Sequence, residues 1–299
     1  MMRLLSSTFI ACACLLPTRL AFADLRVVAT TPDLAAVAKA VSGGHADVSA
    51  LALPTQDPHF VDARPHLALD LSRADLLLSV GLSLEIGWLP TLQVGSRNGN
   101  IQNGAKGYLD CSQFVHVLEA PTVKVDRSMG DIHPGGNPHY MYDPRQVVKV
   151  AEGIAQRMAQ LDPKHAADFQ AAAKRFVAQV DAARAGWEKQ LTSLRGAKVI
   201  EYHRSFAYLA DWLGIDIVDD LEPKPGIPPN PKHVADVLML ARSQGVKLIL
   251  QESYYPQNIA QAIAQRCGAK LVVLPSMPDF DHGQSYVDFM NKRVALLKI

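Results

Sequence analysis

The first part of the chain alternates short apolar runs with a segment of helical spacing. Residues 32–43 place apolar side chains three and four positions apart, with Pro32 near the start and Gly43 just past the end, which is typical of a helix. The last apolar run, ADLLLSVG, lacks a polar face, as do strands buried within a parallel sheet. Three runs are predicted to be strands, at residues 25–31, 46–52 and 74–81. This strand–helix–strand order predicts an α/β lobe.

The second half of the chain repeats this alternation. Four apolar runs are predicted to be strands, at residues 197–203, 215–221, 246–253 and 269–275. Four segments of helical spacing accompany them, at residues 204–214, 231–245, 258–268 and 285–298. The second of these helices has Asn230 in the capping position and Pro231 directly after it. The predicted fold class is therefore α/β, with two lobes that each have a central parallel sheet.

A long amphipathic pattern separates the two halves. Apolar residues recur at steps of three or four from Phe169 to Leu194, while Asp162 can cap this helix and Pro163 can occupy its first position. About 30 helical residues span roughly 45–50 Å, which is long enough to join two lobes rigidly. The predicted domains are an N-terminal lobe at 24–161, a linking helix at 162–196 and a C-terminal lobe at 197–299.

The first residues have the pattern of a secretory signal peptide. Arg3 is followed by an apolar run at residues 9–16 and by the small-x-small sequence Ala-Phe-Ala at residues 21–23. The run is too short to span a bilayer. A lipoprotein cleaved before Cys12 ranks second, because that cut would fall within the apolar run. We expect cleavage near Ala23 and a periplasmic mature chain.

Charge and cysteine content exclude several classes of protein. The chain has 30 basic and 29 acidic residues, and the absence of a basic run argues against a nucleic-acid partner. No later segment is apolar for long enough to cross a membrane. The mature chain keeps only Cys111 and Cys267, so one disulfide bond is possible in an oxidising compartment, but a disulfide framework is not.

Three isolated histidines provide the candidate chemistry. His59 in DPHF, His139 in NPHY and His203 in EYH each end or follow a predicted strand, or lie in the loop beyond one. Ligands of open α/β sheets bind at the carboxyl ends of strands, so histidines from two facing lobes can converge in the cleft between them. Neutral imidazole suits zinc and similar divalent metals. Taken singly, each histidine could equally be a turn residue or a hydrogen-bonded core residue.

A fourth ligand is expected from the loop after the last strand, LPSMPDFDH. Asp279 is the predicted ligand, because a carboxylate beside three histidines partly balances the charge of a divalent ion. A solvated loop aspartate is an equally open reading, and Asp281 or His133 could take its place. Glu252, at another strand end, could orient a ligand histidine as a hydrogen-bond acceptor.

Four motifs in combination resemble the TroA-like solute-binding proteins of bacterial ABC importers, which take up zinc and manganese. They are DPHF at 57–60, NPHYMYDP at 137–144, Tyr-His with DWLG at 202–214, and EPKPGIPPNPKHV at 222–234. The resemblance covers essentially the whole mature chain, although the last loop is offset by about one residue. It implies two α/β lobes, one rigid linking helix and one divalent metal in the cleft. The implied ligands are His59, His139, His203 and Asp279.

The resemblance also implies a function. The chain is expected to be a monomeric periplasmic receptor that captures zinc and delivers it to an ABC permease in the inner membrane. Members that bind manganese tend to have a glutamate at the third ligand position, so His203 favours zinc, with Mn²⁺ also possible. A manganese or iron(II) receptor of the same type is the first alternative.

A secreted zinc hydrolase is the alternative from another class. Catalytic zinc keeps an open coordination position beside a general base. The sequence has neither an HExxH motif nor a Gly-x-Ser-x-Gly motif, and four protein ligands would leave no room for a reacting water. We therefore predict that the protein is not an enzyme. Adhesion to host surfaces, a third option, does not fit a chain without a lipid anchor.

Overall fold

The computed structural model describes residues 24–123, 125, 129–130 and 132–298. The predicted signal peptide at residues 1–23 lies outside these residues. Within them, the chain forms two lobes that each contain a four-stranded parallel sheet with helices around it. The predicted fold class is confirmed.

The N-terminal sheet has the strand order β2-β1-β3-β4. Its strands are β1 (Leu25–Ala29), β2 (Ala46–Ala50), β3 (Leu76–Ser79) and β4 (Tyr108–Asp110). Its helices are α1 (Pro32–Val41), α2 (Pro65–Ser72) and α3 (Leu89–Ser96). The β1, β2 and β3 strands and α1 agree with the sequence pattern to within a few residues. The β4 strand and the α2 and α3 helices were not predicted, because they are too short to show a clear periodicity.

Two helices then lie between the lobes, α4 (Pro144–Leu161) and α5 (Ala166–Gln190). The α5 helix has 25 residues, so it is about 37 Å long, and a 3-10 turn flanks it on each side. The predicted long linking helix is therefore present, but its regular part is shorter than 162–196. Asp162 does not cap it, because the Asp162 carboxylate accepts a hydrogen bond from His165 Nδ1 instead.

The C-terminal sheet repeats the topology of the first, with the order β6-β5-β7-β8. Its strands are β5 (Lys198–Glu201), β6 (Asp216–Asp220), β7 (Leu248–Glu252) and β8 (Lys270–Leu274). Its helices are α6 (Ala207–Leu213), α7 (Pro231–Gln244), α8 (Asn258–Cys267) and α9 (Tyr286–Leu297). In each sheet, the chain leaves two adjacent strands in opposite directions, at β1 and β3 and at β5 and β7. Such a switch point is the usual place for a ligand.

One hydrophobic core runs through both lobes. It contains Val27 of the first sheet and Val199 of the second, and α5 contributes the buried rings of Phe169, Phe176 and Trp187 along its length. Trp187 also donates a hydrogen bond of 2.7 Å from Nε1 to Asn291 Oδ1 of α9. Because the core is continuous, the lobes are held in a nearly fixed relative position.

Neither a disulfide bond nor a membrane span is found among the described residues. Cys111 is buried in the N-terminal lobe and Cys267 ends α8 in the other lobe, and both are free thiols. The single disulfide that the sequence left open does not form. The helices of the described ranges are all too short or too polar to cross a membrane.

Replacement of Phe176 by alanine tests the shared core. Phe176 is 4% exposed and contacts Tyr286 of α9 edge to face, with ring centroids 6.1 Å apart. Its loss should lower the free energy of unfolding by about 3–5 kcal/mol while the protein still unfolds in one transition. Urea denaturation followed by fluorescence measures both quantities. The control Met239→Ala, at a site 63% exposed, should change stability by less than about 0.5 kcal/mol. Two separate transitions would show that the lobes do not share one core.

Candidate metal centre

Three of the ten histidines come together in the cleft between the lobes. One ring nitrogen from each of His59, His139 and His203 lies within 4.8 Å of the other two. The side chains of His59 and His203 are buried, and the Nε2 atom of His139 is buried without a hydrogen-bond partner among the described residues. The structure therefore brings together the three histidines that the sequence analysis singled out.

The positions of these histidines follow from the topology. His203 lies two residues past β5, at the switch point of the second sheet, and His59 lies in the loop after β2. His139 directly precedes the 3-10 turn Tyr140–Tyr142, and its backbone N–H donates to Asn137 Oδ1 at 2.9 Å. The Asn137 side chain also donates to the backbone carbonyl of Arg204 at 2.7 Å. This bond ties the second histidine to the lobe that carries the third.

Two carboxylates orient two of the histidines. Asp57 Oδ1 accepts a hydrogen bond from His59 Nδ1, and Glu222 Oε2 accepts one from His203 Nδ1, both at 2.7 Å. An ionised carboxylate only accepts, so the proton of each neutral ring lies on Nδ1 and the Nε2 lone pair remains available for a metal. The sequence analysis did not assign these two acids. The DPH sequence could have identified Asp57, because an aspartate two residues before a histidine can bond its backbone and so lie beside its ring. Asp57 Oδ1 indeed also accepts a hydrogen bond from the backbone N–H of His59 at 2.9 Å.

The protonation of the histidines differs across the cluster. Burial, with repulsion from His59 and His203, lowers the pKa of His139 well below its ordinary value. Burial also opposes a charge on His203, but the hydrogen bond and the charge of Glu222 outweigh it and raise the pKa of that ring. Burial thus favours the neutral form of His139, whereas Glu222 favours the charged form of His203.

A fourth histidine, His133, lies beside the cluster. Its Nε2 atom is 3.3 Å from Nε2 of His59, and its ring centroid is 5.3 Å from that of His59. Burial and the neighbouring histidines lower its pKa to about 3. With His139 and His203, it lines a cavity of about 180 Å³ whose other walls include Val123, Ile132 and Pro225.

The structure does not bring Asp279 to the histidines. Asp279 is exposed, and its Oδ1 accepts a hydrogen bond from Nδ1 of His282 at 2.7 Å on the outer surface. Asp281 is exposed as well. The reason is that Arg293, buried under this loop, donates to the backbone carbonyls of Pro275 and Ser276. These bonds turn Ser276 and Met277 inward and leave the acids that follow them outside.

A second acid, Glu252, faces the histidines from the end of β7. It is 1% exposed, and burial raises its pKa to about 7 against the opposing attraction of His203. Neither of its oxygens has a hydrogen-bond partner in the described part of the chain, and the same is true of Tyr142 Oη and Ser276 Oγ. These groups and His139 line one small cavity of about 40 Å³.

This donor set fits a divalent cation. Buried polar atoms without partners are rare in proteins and commonly mark an ion or water that binds there. Neutral imidazole nitrogens with carboxylates as their outer partners are the usual surroundings of zinc. The unpaired carboxylate of Glu252 lies close enough to offset part of the charge of a dication.

Replacement of Glu252 by glutamine tests whether ionisation of this buried carboxyl destabilises the folded protein. Well below pH 4.5, the carboxyl is protonated in both the folded and the unfolded states. Between pH 4.5 and 7 only the folded state keeps the proton, so this group makes stability fall as the pH rises, by up to about 3 kcal/mol. The neutral glutamine removes that loss, because it cannot ionise.

We therefore expect metal-free Glu252→Gln to match the wild type near pH 4.5 and to be more stable at pH 8. Urea denaturation in the presence of a chelator measures the difference. Glu152→Gln, on the exposed side of α4, is the matched control. An equal difference between variant and wild type at both pH values would contradict a raised pKa of Glu252.

The fold and site can be compared with known proteins. The ZnuA family, described as zinc-uptake complex component A, periplasmic, matches residues 27–298. The high-affinity zinc uptake system protein ZnuA of Bacillus subtilis is 22% identical over 92% of this chain and 86% of its own length. The zinc-binding protein AdcA of Streptococcus pyogenes is also 22% identical, over 94% of this chain, which spans only 56% of the length of AdcA.

The structural comparison agrees with this match. A crystal structure of ZnuA superposes with a TM-score of 0.74 over 91% of this chain and 98% of that one, at 22% identity. At that identity, the superposition supports the fold alone. The names of the relatives are those of solute-binding proteins, not of enzymes, which confirms that prediction. Because the family match covers nearly all of the described residues, the chain belongs to the ZnuA family of zinc-uptake components.

Proposed function

We propose that this protein is a monomeric periplasmic receptor that captures zinc in the interlobe cleft and delivers it to an ABC permease in the inner membrane. The observation that carries the proposal is the convergence of His59, His139 and His203, with their nitrogens within 4.8 Å of one another. The family match supports the role in metal uptake. The signal-peptide pattern at residues 1–23 supports export.

Zinc is the preferred ion because of the chemistry of the ligands. All three proposed ligands are imidazole nitrogens, which favour zinc over manganese, whereas an oxygen-rich set would favour manganese. The nearby carboxylates of Asp57 and Glu222 act on the rings and not on the ion. A manganese or iron(II) receptor with the same site remains the alternative, and the same titration distinguishes the three ions.

The fold constrains capture and release. The shared core and the bonds of Tyr208, which accepts from the Leu118 N–H and donates to the Asn137 carbonyl, join the lobes next to the site. Opening of the whole cleft would break these contacts. We therefore propose that the ion enters through the outer cavity beside His133 and that the lobes close only slightly around it. Both lobes would then dock on the permease for release.

The ligands can be tested one at a time. The wild type should bind one zinc ion per chain in competition with a chelator, and should bind manganese more weakly. His139→Ala or His203→Ala should lower zinc affinity by about two orders of magnitude or more, because each removes a direct bond. The exposed His116→Ala is the matched control and should bind as the wild type does.

Failure of His139→Ala to weaken binding would refute the site. Tighter binding of manganese than of zinc would keep the receptor but overturn the choice of ion. Asp279→Asn should bind zinc normally, because Asp279 is outside the cluster. A large loss in that variant would instead show that the last loop rearranges when the metal binds.

The role of Glu222 predicts a change in pH dependence. Because Glu222 raises the pKa of His203, a proton competes with zinc for that ring as the pH falls through this raised value. Zinc affinity of the wild type should then drop by about tenfold per pH unit. Glu222→Gln leaves burial to lower the pKa of His203, so the drop should begin at a lower pH.

The same variant should bind zinc about 10–100-fold more weakly at pH 8, because the ring loses its oriented partner. Chelator competition between pH 5 and 8 measures both effects, with Glu152→Gln as the control. Parallel pH profiles for Glu222→Gln and the wild type would exclude this role of Glu222.

A further inference from the structure

The distance between His133 and His59 is that of two ligands of one metal. Their Nε2 atoms are 3.3 Å apart. In a tetrahedral zinc site with bonds of about 2.0–2.1 Å, two ligand nitrogens are separated by about 3.3–3.4 Å. A direct hydrogen bond between the rings has a similar length, so the positions of the protons must decide between the two arrangements.

The hydrogen-bond partners of His59 and His133 favour a metal between the rings over a direct hydrogen bond. Asp57 Oδ1 takes the Nδ1 proton of His59, so Nε2 of His59 carries a lone pair. The backbone of Leu82 acts on the His133 ring as a hydrogen-bond acceptor, and Nε2 of that ring already faces His59. With the His133 proton on Nδ1, both Nε2 atoms would offer a lone pair across the 3.3 Å that separates them. A cation between them would accept both lone pairs and form two bonds.

We propose that His133 is a fourth imidazole ligand, supplied by the loop before His139, which completes a tetrahedral site of four histidines. This inference rests on the proposed function and deepens it by naming the residue that closes the site. It also assigns to His133 the position that the sequence analysis gave to Asp279, which faces solvent.

The loop has the contacts that such a ligand needs. Its end is fixed at Asn137, whose backbone N–H donates to the Leu118 carbonyl and whose side chain donates to Glu119 Oε2, both at 2.9 Å. Gly130 approaches the backbone of Pro225 in the other lobe so closely that a Cβ atom would lie 2.4 Å from its carbonyl oxygen. Gly130 thus contacts the other lobe three residues before His133.

Binding requires only a small movement. The His133 ring centroid is 6.4 Å from that of His139, compared with 5.3 Å between His59 and His139. A shift of the His133 ring toward His139 would bring it into the cluster of the other three histidines without any rearrangement of the lobes. Four protein ligands leave no open position for water, which suits a carrier and not a catalyst.

The experiment compares the zinc complexes of the full-length mature wild type and of His133→Ala. X-ray absorption spectroscopy should count four imidazoles in the wild type and three with one oxygen in the variant. The variant should keep one zinc per chain but bind it at least about tenfold more weakly and release it faster to a chelator. His116→Ala, exposed on the segment that leads into the loop, should match the wild type in every measurement.

The outcomes separate this inference from the proposed function. Zinc with three imidazoles and one oxygen in the wild type, together with an unchanged spectrum in His133→Ala, would overturn the role of His133 and leave the receptor intact. Absence of tight zinc binding in the wild type would overturn both. Loss of one imidazole only in His133→Ala would establish the fourth ligand.

Discussion

The site depends on the burial of α5 against both lobes. Two of the clustered histidines belong to the N-terminal lobe and the third belongs to the C-terminal lobe, so their spacing is set by the packing between lobes. A continuous core with Phe169 near one end of α5 and Trp187 near the other holds that packing in place. Because interiors are close-packed, such a core resists gradual deformation. The positions of the three clustered histidines are therefore largely fixed by the fold itself.

Holding these polar groups together in the cleft has an electrostatic cost in the metal-free protein. Glu252 is buried without a hydrogen-bond partner among the described residues, and the Nε2 atoms of His59 and His133 lie 3.3 Å apart. A buried carboxylate without a partner opposes folding, and a nearby dication would offset that cost. The carboxylates of Asp57 and Glu222 differ in this respect, because each already has a histidine partner at 2.7 Å. The polar groups of the cleft thus divide into pairs that position the ligands and groups that the ion would satisfy.

The sequence predicts those parts of the fold that local patterns determine. Most strands of both parallel sheets, the linking helix and the convergence of the three histidines followed from periodicity and from the rule for ligand sites in α/β sheets. The missed β4 has three residues and forms only because β3 lies beside it. The path of the last loop is set by Arg293, which is far along the chain from the histidines and donates to the carbonyls of Pro275 and Ser276. No local pattern around Asp279 reveals that long-range contact, so its exposure could not be read from the sequence.

The two sheets share one strand order, which makes positions in the two lobes equivalent. The residue two places past β5 is His203, and the residue two places past β1 is Thr31. Thr31 bonds Asp33, and its neighbour Thr30 bonds Glu85, so the first switch point is closed by its own side chains. The three clustered histidines are thus divided unequally between the lobes. Any force that draws the lobes apart would separate His203 from the cluster and leave His59 and His139 together on the N-terminal lobe.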